Sequence, residues 1–425
     1  MTTSLLFGHP VHCHRLEVPE DYAHPERGSI QLFAREIAPA EASPDTPTLL
    51  FLQGGPGFPS PRPAALSGWL GELLLRYRVV LLDQRGTGHS SRIDAHGPIP
   101  TAEELACYRA DSIVRDAEAL REYLGVRRWT LFGQSFGGFC ITHYLSAFPE
   151  SVERAYLTGG LPGIRQSAEE IYRHTYAALA RRHQEFYRRY PWCEDRIREI
   201  CLHLENEEET LPTGERLSAR RFRTIGIELG RGAGMENLAY LLEDPFHQRG
   251  GGRRLRGDVL AEVGRRVSFV EAPLYAVLHE SIYGGTVPGP TAWAAARVAE
   301  EIPGYSPSAD PRATEEPFYL YGEHIFPWLF EEDPALSPFA GVAEELAQRT
   351  DWPCLYDEEA LAEGPATCAA AIYVDDVFVP RELSLETASC FRDLRPWITN
   401  EFHHNGIHVD GARILRRLIS LAEDF

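Results

Sequence analysis

The stretch Trp129–Gly138, WTLFGQSFGG, decides the fold that we expect for this chain. Trp129–Phe132 predicts a buried strand, and the run after the glycines, Phe139–Phe148, predicts a helix. Between them stands the pattern G-x-S-x-G, in the strand–turn–helix context that gives it a chemical meaning. The turn strains the backbone of its serine, so the residues two positions away on either side need to lack a Cβ atom. The stretch therefore predicts a nucleophile, Ser135, whose hydroxyl is held out above the end of a strand.

Apolar strand-like runs alternate with helical patterns around this stretch. Two more buried strands are predicted before it, at Thr48–Leu52 and Arg78–Leu82, and apolar spacing predicts a helix over Ile113–Leu124. Continuous apolar strands that alternate with helices are typical of a parallel sheet covered on both faces. The other predicted elements are the strands Arg15–Pro19, Gly28–Ile37, Tyr156–Thr158 and Ala369–Val374, and an amphipathic helix, Gly411–Glu423.

The middle of the chain has a different character from its two ends. From Gln166 to about Arg349 it is rich in Arg, Glu, His and aromatic residues, and helical patterns dominate. The 425 residues suffice for two or three units, or for one large α/β domain with an insertion. We expect an α/β core in residues 1–162 and 351–425, with a helical cap inserted at 163–350. The basic, glycine-rich tract 249–256 inside the cap is interpreted as a solvated turn.

Composition and charge exclude several classes of function. The chain has 42 Lys and Arg against 62 Asp and Glu, a net charge of −20, which disfavours nucleic acid and anionic membranes as partners. Neither a transmembrane helix nor a signal peptide is predicted. The eight scattered cysteines indicate free thiols in a reducing compartment, so we expect a cytoplasmic location. The His12-Cys13-His14 cluster has no second half with ligand spacing, and we expect no metal and no cofactor.

A serine nucleophile needs a base that is oriented by an acid. In this kind of fold the acid and then the histidine follow the serine along the chain. Asp376 follows a strand-like run beyond the helical insertion, and Asp375 is its rival. His404 is preferred over His403 because it directly precedes the turn before the last helix. We expect Ser135, Asp376 and His404 to form a catalytic triad.

Two backbone N–H groups are expected to stabilise the oxyanion that forms when the serine attacks a carbonyl. The N–H of Phe136, at the start of the predicted helix, points at that oxygen. The second donor should come from the glycine-rich loop after an early strand, with Gly55 as the donor and Gly54 as the runner-up. The neighbouring segment Asp83–Ser90 is interpreted as a structural buttress for this loop.

Three motifs together resemble the prolyl aminopeptidases, or proline iminopeptidases, of the α/β-hydrolase superfamily. They are Gln53–Gly57 (QGGPG), Asp83–Ser90 (DQRGTGHS) and Gly133–Gly138 (GQSFGG). The stretch Trp397–Gly406, WITNEFHHNG, is similar to the histidine region of the larger bacterial branch, and Leu278–Tyr283 is similar to its cap. The resemblance runs over nearly the whole chain. It implies the α/β-hydrolase fold, a mostly parallel central sheet flanked by helices, with a mainly helical cap inserted.

The resemblance also implies a serine aminopeptidase that releases an N-terminal proline from peptides through an acyl-enzyme intermediate, without a metal. The partners would be peptides with a free N-terminal proline, and the oligomeric state is left open. Gln53 and Phe136 stand where many relatives have His and Trp, and both border the substrate. An aminopeptidase needs carboxylates that pair with the cationic amino terminus, and the family takes these glutamates from its cap. The candidates here are Glu236 and Glu280, ranked first, and then Glu228 and Glu323.

Two other classes of function are compatible with part of this pattern. A carboxylesterase, lactonase or C–C bond hydrolase would use the same triad but would not need amine-binding glutamates in its cap. An inactive interaction module would be expected to have lost members of the triad, whereas this sequence offers all three. A dehalogenase or epoxide hydrolase with an aspartate nucleophile is disfavoured, because Ser135 occupies the nucleophile position.

Overall fold

A computed structural model describes residues 2–247 and 252–423, and a nine-stranded sheet lies at the centre of this part of the chain. The strands are β1 (Thr2–Leu6), β2 (His9–Pro19), β3 (Ser29–Ile37), β4 (Thr48–Leu52), β5 (Arg78–Asp83), β6 (Trp129–Gln134), β7 (Val152–Thr158), β8 (Thr367–Tyr373) and β9 (Leu394–Thr399). Their order across the sheet is β1-β2-β3-β5-β4-β6-β7-β8-β9. The pairings from β1 to β5 are antiparallel, and the remaining pairings, from β5 to β9, are parallel.

Helices surround the sheet and fill the long connection between β7 and β8. The α-helices are α1 (Gly68–Leu73), α2 (Ala102–Ala106), α3 (Ala110–Tyr123), α4 (Phe136–Ala147), α5 (Ala168–Arg189), α6 (Trp192–Asn206), α7 (Ala219–Arg223), α8 (Gly234–Leu242), α9 (Gly257–Val267), α10 (Pro273–Leu278), α11 (Ala294–Glu301), α12 (Leu329–Glu332), α13 (Ala340–Gln348), α14 (Glu358–Glu363), α15 (Arg381–Ala388) and α16 (Gly406–Glu423). Short 3-10 helices lie at Pro25–Arg27, Pro149–Ser151, Thr224–Gly230, Glu280–Tyr283 and Ser337–Phe339.

The connection between β7 and β8 contains α5 to α14, three of the 3-10 helices and two isolated β-bridges among its described residues. We propose that the part of it up to α13 forms the cap expected at 163–350, whereas α14 packs against α4 of the core. The predicted turn at 249–256 falls partly on residues 249–251, which lie outside the described residues. The described remainder of that tract is anchored by an isolated bridge between Phe246 and Leu255.

The central strands are apolar at nearly every position because both faces of the sheet are covered. In β4, Leu50 and Leu52 pack into the apolar core on one face, where α3 and α4 lie. Leu49 and Phe51 point to the opposite face and pack under α1 and α16. This two-residue alternation follows from the pleat of a strand, and it explains why a continuous apolar run predicts these strands.

The sequence did not predict the two strands at the edges of the sheet. Among the described residues, β1 is five residues long and pairs only with β2, and β9 pairs only with β8. β9 contains Pro396, and a proline inside an apolar run weakens any strand prediction. An edge strand is buried on fewer sides than a central strand, so its sequence carries a weaker periodic signal.

Buried polar contacts fix the loop that follows β5. Arg85 donates two hydrogen bonds to Asp116, at 2.8 Å from Nε and 2.7 Å from Nη2, and both side chains are fully buried. Asp83 accepts from the backbone N–H and the hydroxyl of Ser60, at 3.1 and 2.7 Å. The amide of Gln84 donates to the backbone carbonyl of Gln53, at 3.0 Å. The Asp83–Ser90 segment therefore buttresses the glycine-rich loop, as the sequence predicts.

All eight cysteines are free thiols, and the cytoplasmic location that we expect from them stays a prediction. His14 lies in β2 with its ring hydrogen-bonded to Glu36 at 2.9 Å. Over residues 2–247 and 252–423, no cluster of three or more His, Cys, Asp or Glu is placed to bind a metal ion. Over the same ranges, no helix has the length and apolar character needed to cross a membrane.

Candidate active site

Ser135 lies in the sharp turn between β6 and α4. Its backbone has φ 55° and ψ −127°, a conformation that a residue with a Cβ atom rarely adopts. A Cβ atom on Gly133 would lie 2.6 Å from the backbone of Gly137, and one on Gly137 would lie 1.9 Å from the carbonyl oxygen of Leu52. The turn therefore requires glycine at both positions. The helix begins at Phe136, earlier than the predicted Phe139, because the strained serine is itself the residue before the first helical turn.

Asp376 and His404 form a buried hydrogen-bonded pair. His404 Nδ1 lies 2.9 Å from Oδ2 and 3.1 Å from Oδ1 of Asp376. Asp376 Oδ1 also accepts the backbone N–H groups of Phe378 and Val379, at 2.9 and 3.0 Å, so the carboxylate has a fixed orientation. Burial lowers the pKa of His404, but the Asp376 carboxylate raises it, and the net shift is upward.

The two rival residues have different surroundings. His403 Nε2 lies 2.9 Å from Nη2 of Arg182 and accepts its hydrogen bond. Burial and the Arg182 charge lower the pKa of His403. Asp375 is exposed to solvent. The geometry thus favours Asp376 and His404 as the acid–histidine pair over their neighbours in the chain.

Ser135 and His404 line one cavity of about 800 Å³. Gly159 lies beside the acid–histidine pair, where an added Cβ atom would be 3.2 Å from Asp376 Oδ2 and 3.3 Å from His404 Nδ1. The ring of Phe378 packs against the ring of His404, with centroids 4.9 Å apart. The residues that line the cavity are Gln53, Gly54, Gly55, Phe58, Gln134, Ser135, Thr224, Ile227, Glu228, Arg231, Glu262, Arg265, Arg266, Ser268, Phe269, Val270, Glu271, Ala272, Tyr275, Gly322, Glu323, His324, Ile325, Leu329, Phe378, His404, Asn405 and His408.

The structure places both parts of the expected oxyanion hole near Ser135. Gly54 and Gly55 line the same cavity, and a Cβ atom on Gly54 would lie 2.7 Å from the amide oxygen of Gln134 and 3.1 Å from the Cβ atom of Ser135. Phe136 is the first residue of α4. Its side chain is buried against Phe139, with the two ring centroids 6.2 Å apart. Phe136 is not one of the described residues that line the cavity. Phe136 therefore does not form a wall of the cavity, and its backbone N–H as an oxyanion donor stays a prediction.

Two of the four candidate glutamates line the cavity. The Glu323 carboxylate accepts a hydrogen bond of 2.6 Å from the hydroxyl of Tyr275, which also lines the cavity. Glu228 is largely buried and forms a close ion pair with Arg231. Glu323 is thus held by a neutral group, whereas the charge of Glu228 is matched by a guanidinium.

The two glutamates that the sequence ranked first are not brought to the cavity. Glu236 in α8 forms an ion pair with Arg189 at 2.6 Å. Glu280 is buried, and its Oε2 accepts the backbone N–H of Ala295 at 3.2 Å, while its Oε1 has no hydrogen-bond partner among the described residues. Burial raises the pKa of Glu280, which disfavours a charged carboxylate there. The geometry therefore reverses the sequence ranking and favours Glu323 and Glu228.

The sequence did not predict the charged wall of the cavity or its tyrosine. Glu262, Arg265 and Arg266 lie on α9, and Arg231 follows the 3-10 helix Thr224–Gly230. Exposed arginines are common on helices. Their spacing along the chain therefore does not indicate that arginines from two separate segments meet at one cavity. The one sequence signal near Tyr275 is the motif Leu278–Tyr283, which begins three residues after it.

Comparison with known proteins agrees with the predicted family and fold. The proline iminopeptidase of Aeromonas sobria is 42% identical over 424 residues, which cover 97% of this chain and 97% of the relative. The chain belongs to the proline iminopeptidase family. A second proline iminopeptidase, from Aspergillus aculeatus, is 31% identical over 96% of this chain and 93% of its own length. A family model described as alpha/beta hydrolase fold matches residues 47–297, which confirms the predicted fold class.

Solved structures include a further member of the proline iminopeptidase family. The enzyme from Mycobacterium smegmatis is 13% identical, with a TM-score of 0.44 over 95% of this chain and 98% of its own. The resemblance to proline iminopeptidases that the three sequence motifs predicted is confirmed by the two full-length relatives.

Proposed function

We propose that this chain is a serine aminopeptidase that releases an N-terminal proline from peptides. The observation that carries the proposal is the set of functional groups that line one cavity. Ser135 on its strained turn, His404 with its buried aspartate, and the Glu323 carboxylate all lie there. Relatives named proline iminopeptidase that match nearly the full length support the same activity.

The proposed reaction follows from the roles of three side chains. Ser135 attacks the carbonyl carbon of the N-terminal proline, and His404 accepts the hydroxyl proton. Asp376 holds the Nδ1 proton of His404, which leaves Nε2 free to act as the base. His404 then protonates the leaving amine, and water releases proline from the acyl-enzyme. The backbone N–H groups of Gly55 and Phe136 stabilise the oxyanion in both steps.

We propose Glu323 as the main group that binds the substrate amine. A prolyl amino terminus is a secondary ammonium at neutral pH, and a carboxylate within hydrogen-bond reach stabilises it. The Tyr275 hydroxyl donates a hydrogen bond to Oε1 of Glu323. This bond orients the carboxylate in the cavity that both residues line. A carboxylate at a fixed distance from the nucleophile limits cleavage to the first residue. An esterase would have no use for this arrangement.

The direct test compares three substrates with purified protein. We expect fast hydrolysis of proline β-naphthylamide, little hydrolysis of its N-acetylated form, and slow hydrolysis of p-nitrophenyl butyrate. Acetylation removes the positive charge that Glu323 would bind, while leaving the scissile bond unchanged. Rapid cleavage of the ester without cleavage of the proline amide would contradict the proposal and favour a carboxylesterase or lactonase.

Glu323→Gln should weaken binding of free-amine substrates. The amide keeps an acceptor for Tyr275 but loses the negative charge, so KM for proline β-naphthylamide should rise about 10- to 100-fold. Two controls have the same chemistry: Glu271→Gln, at an exposed cavity position, and Glu236→Gln, in the ion pair with Arg189. We expect both to keep KM within about twofold. A larger effect of Glu236→Gln than of Glu323→Gln would restore the ranking made from sequence.

A further inference from the structure

We propose that Arg231, with the neighbouring Arg266, binds the C-terminal carboxylate of short peptide substrates. The enzyme would then prefer prolyl peptides of two or three residues that end freely inside the cavity. This inference rests on the proposed aminopeptidase activity and narrows its substrate class.

One wall of the cavity carries an alternating series of five charged side chains. Arg231 and Arg266 both face Glu228: Arg231 forms a close ion pair with its Oε1, and Arg266 Nε lies 3.9 Å from the same atom. Arg265 and Arg266 both pair closely with Glu262. Three guanidinium groups therefore share two carboxylates in this series. The other acidic residues that line the cavity are Glu271, at an exposed position, and Glu323.

This wall also contains arginine N–H groups that are not used in hydrogen bonds among the described residues. Arg231 uses Nη1 for Glu228, and within the described part of the chain its Nη2 and Nε have no acceptor. The side chain of Arg231 is 47% exposed, so these donors are accessible from the cavity that it lines. The Nε of Arg266 is buried and faces Glu228, so the accessible donors of this wall are those of Arg231. A carboxylate placed here would satisfy donors that the protein leaves unused.

Arg231 is tied to the loop that carries the catalytic histidine. The backbone N–H of the next residue, Gly232, donates to the side chain of Asn405 at 2.8 Å, and Asn405 directly follows His404. Burial and the Arg231 charge lower the pKa of His408, which lies in α16 just after this loop. The segment that carries Arg231 is thus fixed to the histidine loop, and Arg231 lines the same cavity as Ser135 and His404.

A short peptide carries opposite charges at its two ends. With the prolyl ammonium at Glu323 and the scissile carbonyl at Ser135, the remaining residue or two extend into the rest of a cavity of about 800 Å³. An arginine fork matches a carboxylate in geometry as well as in charge. A longer peptide would present a neutral amide at Arg231 and would gain nothing from its charge.

The overall charge of the protein works against this preference, which makes the test sharp. The net charge of −20 attracts cations, so it favours the amide Pro-Ala-NH2, which carries a positive charge, over the zwitterion Pro-Ala. A preference for the free carboxylate would therefore have to come from a local group and not from the general field.

The experiment measures kcat/KM for Pro-Ala and Pro-Ala-NH2 with the wild-type protein, Arg231→Gln and Arg189→Gln. We expect the wild type to prefer Pro-Ala about tenfold, and the ratio to fall to about one in Arg231→Gln. Arg189→Gln removes a half-exposed arginine that pairs with Glu236 outside the cavity, so it should keep the wild-type ratio.

Two results would overturn the inference: a wild-type ratio of one or below, or a ratio that Arg231→Gln leaves unchanged. Both leave the proposed function intact as long as the two peptides are hydrolysed. If neither peptide is hydrolysed while p-nitrophenyl butyrate is, the proposed aminopeptidase activity has failed, and with it the substrate class.

Discussion

Replacing Ser135 by alanine is expected to lower kcat for proline β-naphthylamide about a millionfold. The variant loses the hydroxyl that forms the acyl-enzyme, and neither His404 nor the oxyanion donors can replace that bond. Alanine has the same backbone strain as serine at φ 55°, so the turn should keep its shape. The measurement is steady-state turnover, together with mass spectrometry after treatment with phenylmethylsulfonyl fluoride. The wild type should gain one sulfonyl group at Ser135, and the variant should gain none.

Ser268 provides a matched control, because it lines the same cavity but lies away from the turn that holds Ser135. Ser268→Ala should keep kcat within a few-fold and should still be labelled at Ser135. If Ser135→Ala retained wild-type turnover, the nucleophile would have to be another residue, and the acyl-enzyme proposal would be wrong.

Asp376→Asn is expected to lower kcat about ten-thousandfold. The backbone N–H groups of Phe378 and Val379 donate to Oδ1, so the oxygen of the asparagine should take that position. Its NH2 group would then face His404 Nδ1 in place of Oδ2. This forces the imidazole proton onto Nε2, the atom that has to accept the proton of Ser135. The loss comes from the wrong tautomer and not from a change in shape.

The pH profile separates this effect from a general loss of folding. His404 acts as a base only when neutral, so kcat/KM of the wild type should fall as the pH drops through the pKa of His404. Asp376 raises that pKa, and the acidic limb should therefore move to lower pH in Asp376→Asn. Asp375→Asn changes the neighbouring exposed aspartate and should leave both rate and profile unchanged. An unshifted limb in Asp376→Asn would contradict the assigned pair.

Local sequence was enough to predict the centre of the fold and the proposed nucleophile. The glycines around Ser135 are required by contacts within a few residues and with β4, so their pattern is visible in the chain itself. Central strands such as β4 are buried on both faces, and that burial leaves a continuous apolar run. His404 and Asp376 could be predicted because this fold fixes their order along the chain and their position after a strand.

Which cap glutamates face the cavity was decided only by the tertiary structure. Glu228 and Glu236 lie eight residues apart, yet one lines the cavity and the other pairs with Arg189 on another helix. Arg231 and Arg266 come from separate segments and meet around one carboxylate. The side chains of Glu and Arg are long and suit exposed and buried sites alike, so the residue type does not reveal the site. The positions of these Glu and Arg side chains depend on how distant helices pack. The Ser135 turn depends instead on steric contacts of the backbone, which the glycines next to it in the sequence make possible.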